Sequence, residues 1–278
     1  MRNRFITLLP VLALVLCYLA AAPAPASAAC FSEPKGEFDA RDLSGIWFRQ
    51  GGDCGFGPQG SNPPLTKEGE ERLKENIPTR PRHPLSPKVD DPTQANDPAL
   101  NCNPKGMPYI VVDTAHDHHE VVQLPNRIYQ VWQEERRLRE IWMDGRKLPT
   151  GDDLANLGPS WYGISVGRWE DNTLVVDTIA IDDRTWLDIY GFPRSSEARI
   201  EERYTRVNPT TMEVQLTLHD PKYYTAPWVS DKKIFKKEAR DGDQVNNFGW
   251  YGLFSGLNDL ICAPMNGEGV PSNPRGGD

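Results

Sequence analysis

Apolar residues fall at every second position over Met212, Val214, Leu216 and Leu218, with Thr211, Glu213, Gln215 and Thr217 between them. A period of two gives a strand one buried and one wet face. Short runs of this kind, rich in β-branched and aromatic residues, recur from residue 107 onward. Strands are expected at 109–113, 118–123, 127–133, 138–143, 162–169, 173–180, 198–207, 211–218 and 228–235, after a first at 43–49. Pro125-Asn126, Asp144-Gly145, Asp171-Asn172 and Asn208-Pro209 provide turns between them. About ten strands so spaced predict an all-β fold, either an antiparallel sandwich or an up-and-down barrel.

Residues 161–188 are the stretch around which this pattern is organised. Strands 162–169 and 173–180 meet at Asp171-Asn172, where both residue types tolerate the positive φ of a tight hairpin turn. That register pairs Trp169 with Leu174, Gly167 with Val176 and Val166 with Asp177. Arg168 and Asp177 then become diagonal neighbours on one face, within reach of an ion pair. Both faces are apolar around Ile164–Val166 and Leu174–Val176, so the pattern alone does not say which face turns inward.

One short helix is expected at 66–77, capped by Thr66 and rich in Lys and Glu, with Leu73 and Ile77 four apart for docking. Residues 78–105 are crowded with prolines, which delete backbone donors and favour an extended arm. The tail from 237 turns aromatic at 248–254 and then polar, and 263–278 has the composition of a disordered segment.

Residues 1–28 have the form of a secretory leader: Arg2 and Arg4, an apolar run at 8–22, and Ala26-Ser27-Ala28 as a small-residue cleavage site. A membrane anchor is the alternative, disfavoured by Pro10, Pro23 and Pro25 and by the shortness of the run. A lipoprotein acylated at Cys30 is weaker still, because no large apolar residue stands at the start of Ser27-Ala28-Ala29. The mature chain is expected in the periplasm or outside the cell, with a lead at 29–41 and one domain at 42–262. Cleavage takes two of the 31 basic residues and none of the 39 acidic ones, so the formal net charge of −8 becomes −10. That balance disfavours nucleic acid and anionic membrane surfaces as partners. Cys30, Cys54, Cys102 and Cys262 remain after cleavage, and four cysteines in an exported chain predict two disulfides. Of three connectivities, Cys30–Cys54 with Cys102–Cys262 is favoured, the longer loop contributing roughly 4–5 kcal/mol in the chain-entropy view. A zinc site is the alternative, and no C-x-x-C spacing supports it.

Gly45-x-Trp47 on the opening strand resembles the lipocalin-like (calycin) barrels, in which such a tryptophan closes one end. Further phrases follow in order: DLSGIW at 42–47, CNPKGMP at 102–108, EVVQLPNRIY at 120–129, EIWMDGR at 140–146, GRWEDNTLVVDT at 167–178, DRTWLD at 183–188, EERYTRV at 201–207 and DPKYYTAPW at 220–228. Together they resemble a family of secreted bacterial hypothetical proteins of unknown function with a lipocalin-like β-barrel. The resemblance implies an antiparallel up-and-down barrel with one short helix and irregular N- and C-terminal arms. It implies no activity. The chain departs from the family pattern where Ile164 and Arg194 stand in place of histidines, which puts any family chemistry resting on those histidines in doubt.

Candidate chemistry is concentrated in two stretches. In Ala115-His116-Asp117-His118-His119-Glu120, a strand places His116, His118 and Glu120 on one side and Asp117 and His119 on the other. His116 and His118 have the spacing of a zinc or copper pair, a weak metal candidate. His118, oriented by Glu120, is the general acid–base alternative; a solvated polar loop is favoured over both. In the loop 182–188, Asp183 or Asp188 gains basicity if Trp186 desolvates it. A structural plug, with Trp186 and Leu187 filling a barrel end and Arg184 paired to an aspartate, is favoured slightly. Arg203 is expected in ion pairs on the sheet. Trp132, Trp142, Tyr162, Trp169, Arg184 and Trp186 are the candidate ligand-binding residues, aromatic faces for a flat apolar guest. No serine-hydrolase elbow, zincin motif, P-loop or dinucleotide fingerprint occurs, and no cofactor is expected. Two functions follow: a binding protein for a small apolar or aromatic molecule inside the barrel, or a cofactor-free lyase, isomerase or hydrolase using His118 with Asp183 or Asp188. The pattern does not decide between enzyme and binder.

Overall fold

The computed structural model of the chain describes residues 38–113, 118–132 and 137–237. The leader at 1–28, Cys30, His116, Cys262 and the tail lie outside those residues. Ten strands are present: β1 (Gly45–Arg49), β2 (His118–Leu124), β3 (Arg127–Trp132), β4 (Leu138–Trp142), β5 (Ile164–Glu170), β6 (Thr173–Ile179), β7 (Arg199–Asn208), β8 (Thr211–His219), β9 (Trp228–Val229) and β10 (Lys233–Lys237). They run in sheet order β10-β1-β2-β3-β4-β5-β6-β7-β8-β9, and β10 also pairs with β8, which closes the sheet on itself. β9 lies on β8 at Thr217–Leu218 and β10 on β8 at Thr211–Val214, so the two are one strand broken at Ser230. The Ser230 hydroxyl and amide bridge the break by meeting the Leu216 amide and carbonyl.

The result is a closed barrel of nine strands with mixed pairing, which corrects the expectation of a purely antiparallel up-and-down order. A ring with an odd number of strands cannot alternate direction all the way round, so one neighbouring pair must be parallel. That pair is β4–β5, joined at Ile141↔Ser165 and Trp142↔Val166 only. A parallel pair needs a crossover, and residues 143–163 provide it, carrying an unanticipated helix α3 (Gly151–Leu157) back along the barrel; α1 (Lys67–Glu75) and α2 (Tyr109–Val112) precede it in the chain.

Elsewhere the period of two is obeyed. Met212, Val214, Leu216 and Leu218 turn inward and are buried, with Glu213, Gln215 and Thr217 partly exposed between them. The β5–β6 hairpin has the expected register, Asp171 takes φ +50°, and Arg168 meets Asp177 at 2.6 Å. Leu174 and Val176 face inward, yet Val175 on the other face is also fully buried. Arg203 pairs with Glu170 at 2.8 Å on the outer face, as expected, while Glu202 turns into the barrel.

One end of the barrel is closed by short hairpins. The other, where β1 ends and β2 begins, is capped by the long connections. α1 starts at Thr66, whose hydroxyl accepts from the Gly69 amide at 3.1 Å, and it buries Leu73. Of residues 109–113, expected as a strand, Tyr109–Val112 instead form α2 with all four side chains buried. A wall strand buries alternate residues; Tyr109, Ile110, Val111 and Val112 are covered on all sides as a stopper, and that packing overrides β propensity. Phe56, Trp186, Leu187 and Phe192 complete the cap. Among the described residues no helix is long and apolar enough to cross a membrane. Cys54 is a free thiol, which overturns the Cys30–Cys54 disulfide, and the Cys102–Cys262 pairing involves a residue outside those described.

Asp188 holds the cap together. Fully buried, it accepts from the Phe56 amide at 2.7 Å and the Tyr190 amide at 2.9 Å, joining two loops far apart in sequence. Burial pushes its carboxyl up to about 6, against the pull of the amides of Phe56, Tyr190 and Phe192. Since the folded-state value lies above the unfolded one, the fold gains a proton as pH drops through about 6, and this group favours folding at lower pH. Chemical denaturation of Asp188→Asn against the parent should therefore show the parent losing about 2–3 kcal/mol more than the variant between pH 4 and pH 7. Equal pH slopes would show that Asp188 is not the titrating anchor.

Candidate functional site

The inward side chains of β3 to β7 build a polar layer across the bore. Arg139 on β4 donates from Nη1 and Nη2 to the two oxygens of Glu202 on β7, at 2.8 and 2.5 Å, with both side chains at most 1% exposed. Arg139 also reaches Gln130 on β3 at 3.1 Å, Ser165 on β5 at 3.0 Å and Thr178 on β6 at 2.7 Å. Glu202 in turn accepts from the hydroxyls of Tyr204 at 2.6 Å and Thr178 at 3.2 Å. Burial alone would lower the Arg139 guanidinium, but Glu202 and Tyr204 outweigh it and hold the pKa above its ordinary value. Burial raises the Tyr204 phenol far above its usual range, helped by Glu202. This layer is a satisfied network and offers no open valence to a guest.

Toward the capped end the inward residues become aromatic. His119, Trp132 and Phe235 lie on β2, β3 and β10, and His119 stacks on Trp132 at 5.5 Å while meeting Phe235 edge-on at 5.3 Å. Tyr162, just before β5, faces Trp132 with ring centroids 6.5 Å apart and planes within 8° of parallel. The loop that carries Tyr162 is fixed by a close approach at Gly106, where φ is +69° and a Cβ would lie 2.6 Å from the Trp161 carbonyl. The neighbouring Met107 amide donates to that carbonyl at 3.0 Å. Two polar atoms of this row, His119 Nδ1 and Trp132 Nε1, are buried without a hydrogen-bond partner. Burial pushes His119 down to about 3, with His118 adding to the shift, so the imidazole is neutral at working pH.

The residues singled out from the sequence are distributed as follows. Trp132 and Tyr162 come together on this row. Trp142 stands on the outer face between Arg127 and Arg146, 4.3 and 3.6 Å from its ring. Trp169 is part-buried at the hairpin end, 5.8 Å from Arg41. Trp186 is buried in the cap and Arg184 is exposed, paired with Asp182 at 2.7 Å and lying 4.4 Å from the Trp161 ring. Asp183 is exposed, near Glu71, Arg72 and Tyr223, whereas Asp188 is the buried anchor. His118 is on the outer face beside Phe48, ring centroids 5.4 Å apart, so it and Asp188 stand on opposite sides of the barrel wall. Among the described residues no cluster of three or more His, Cys, Asp and Glu side chains is placed to hold a metal ion.

The inward histidine is thus His119. Val121 and Val122 are both apolar, so alternation around the histidines could not fix the parity. Arg139 and Glu202 were hidden for a related reason, since charged residues on strands are ordinarily solvated. Breaking the pair tests its role. Arg139→Met alone should cost about 3–5 kcal/mol by leaving Glu202 buried and unpaired, and Arg139→Met with Glu202→Leu should recover most of it in urea denaturation. Additive losses would mean that the two side chains act independently. In comparisons with known proteins the chain matches no family model, no curated protein and no solved structure.

Proposed function

We propose that this is an exported binding protein for a small, flat aromatic molecule, carried out of the cytoplasm by the leader at 1–28. The guest lies against Trp132 and Tyr162 at the capped end of the barrel, and the polar layer bars it from the rest of the bore. The observation that supports this reading is the pair of parallel rings, set at the long end of the distance over which aromatic faces attract one another. The buried Trp132 Nε1 and His119 Nδ1 nearby have no partner. Buried polar groups are rarely left so, and a guest with a donor and an acceptor, or with ordered water, satisfies both. Large amphipathic rings with one unmet polar atom are the usual walls of small-molecule sites.

Catalysis is the second reading and draws less support. His118 faces outward, Asp188 is occupied by backbone amides, and His119 is held neutral without a carboxylate to orient it. The binding reading is tested by tryptophan emission on titration with naphthalene- and indole-type compounds. Trp132→Ala should weaken the tightest of them about 30-fold, as expected for a central aromatic anchor. Trp142→Ala, on the outer face, should change nothing. Equal loss in both variants, or no response to any compound, would defeat the assignment.

A further inference from the structure

The row of rings leads to a buried cation that makes no ion pair among the described residues, although Asp231 and Asp113 stand near enough to attract it. Arg49, the last residue of β1, is the cross-strand partner of Phe235, whose ring meets His119. The side chain points into the capped end and Arg49 is 3% exposed. Its Nη2 donates to the Asp53 carbonyl, brought over it by the turn at Gly51 and Gly52, both at positive φ. Its Nε and Nη1 have no hydrogen-bond partner, and among the described residues it forms no ion pair.

Three neighbouring cations have carboxylate partners. Lys233 meets Asp231 at 2.6 Å and the Gly55 carbonyl at 2.6 Å, Lys105 meets Asp113 at 3.0 Å, and Arg82 meets Asp53. The adjacent Cys54 is no counter-ion, because burial and its hydrogen bond to Asp113 push the thiol up and keep it protonated. Taking a guanidinium out of water without a partner is costly, and proteins avoid it unless an anion completes the site. A carboxylate is the natural complement to guanidinium N–H groups.

We propose that Arg49 is the anion subsite of the capped end and that the guest is a carboxylate, a flat aromatic acid whose ring rests on Trp132 and Tyr162. This rests on the binding reading above and narrows it to a substrate class. A neutral aromatic of the same shape lacks the group that Arg49 requires. Without an anion beside it a buried guanidinium is costly, so replacement of Arg49 by an apolar residue removes a burden.

The test uses the full secreted protein at constant ionic strength, with 2-naphthoate, 2-naphthamide and acetate as probes in calorimetry and thermal melts. Naphthoate should bind at least tenfold tighter than naphthamide, and at about a hundred times its Kd should raise Tm by roughly 5 °C or more. In Arg49→Met the preference should fall to near one, and the variant without ligand should melt no lower than the parent. Should that variant fail to fold, alkylation of Cys54 in the unmodified protein decides: naphthoate should slow it severalfold and naphthamide should not. Equal binding of naphthoate and naphthamide overturns this proposal and leaves the aromatic site standing. Acetate binding as tightly as naphthoate, and lost in Arg49→Met, supports the anion subsite and removes the aromatic one. No binding by any probe overturns both.

Discussion

The bidentate pair between Arg139 and Glu202 is the contact on which the rest of the barrel depends. The parallel seam between β4 and β5 is joined at two positions only, the least extensive pairing in the closed ring. Arg139 starts from β4 and hydrogen-bonds to β3, β5, β6 and β7, so one side chain ties the strands across that seam. Two buried charges give little net stability by themselves, since desolvation offsets most of their attraction. Their worth here is geometric: with Gln130, Ser165, Thr178 and Tyr204 satisfying the remaining valences, the seam has one register. The odd strand number makes a parallel pair unavoidable, and the polar layer compensates for it.

The same layer divides the bore. Toward the hairpin end lie Ile128, Ile141 and Leu174, tightly packed, with the Trp47 indole donating to the Leu43 carbonyl at 2.8 Å. Toward the capped end lie His119, Trp132, Tyr162 and Arg49, where unmet donors and acceptors accumulate. Unmet polar atoms are more numerous on the capped side, where His119 Nδ1, Trp132 Nε1 and two Arg49 nitrogens lack partners, than near the hairpins, where Arg206 Nε does. That asymmetry is the ground for proposing a guest on the capped side of Arg139. The cap, anchored by Asp188 and stoppered by α2, keeps water from reaching these groups freely and raises the value of each polar contact made there.

Much of the wall was legible in the sequence because its residues obey a period of two and its turns carry Asn, Asp, Gly and Pro. The β5–β6 hairpin and β8 were readable to the register. The capping helix signal of Thr66 and the surface ion pairs of Arg168 and Arg203 were equally local. What could not be read was set by tertiary burial. Residues 109–112 have the composition of a strand and fold as a stopper, because all four side chains find cover. Strand 228–235 reads as continuous, yet Ser230 breaks it; the loss of the strand expected at 109–113 is what leaves nine members in the ring and forces the parallel pair. At the site, Trp132 and Tyr162 were visible as aromatics on strand edges. Arg49, His119, Arg139 and Glu202 were not, since inward-facing polar residues look like any solvated residue until the barrel closes.

The claim that the guest occupies the capped side of the polar layer can be read from the indole N–H signals of the protein in proton–nitrogen correlation spectra, each assigned by single tryptophan substitution. Saturation with a bound flat aromatic should shift the Trp132 signal and leave that of Trp47, already bonded to Leu43 and on the hairpin side, in place. A shift of Trp47 with Trp132 unmoved would put the guest on the wrong side of Arg139 and contradict the account.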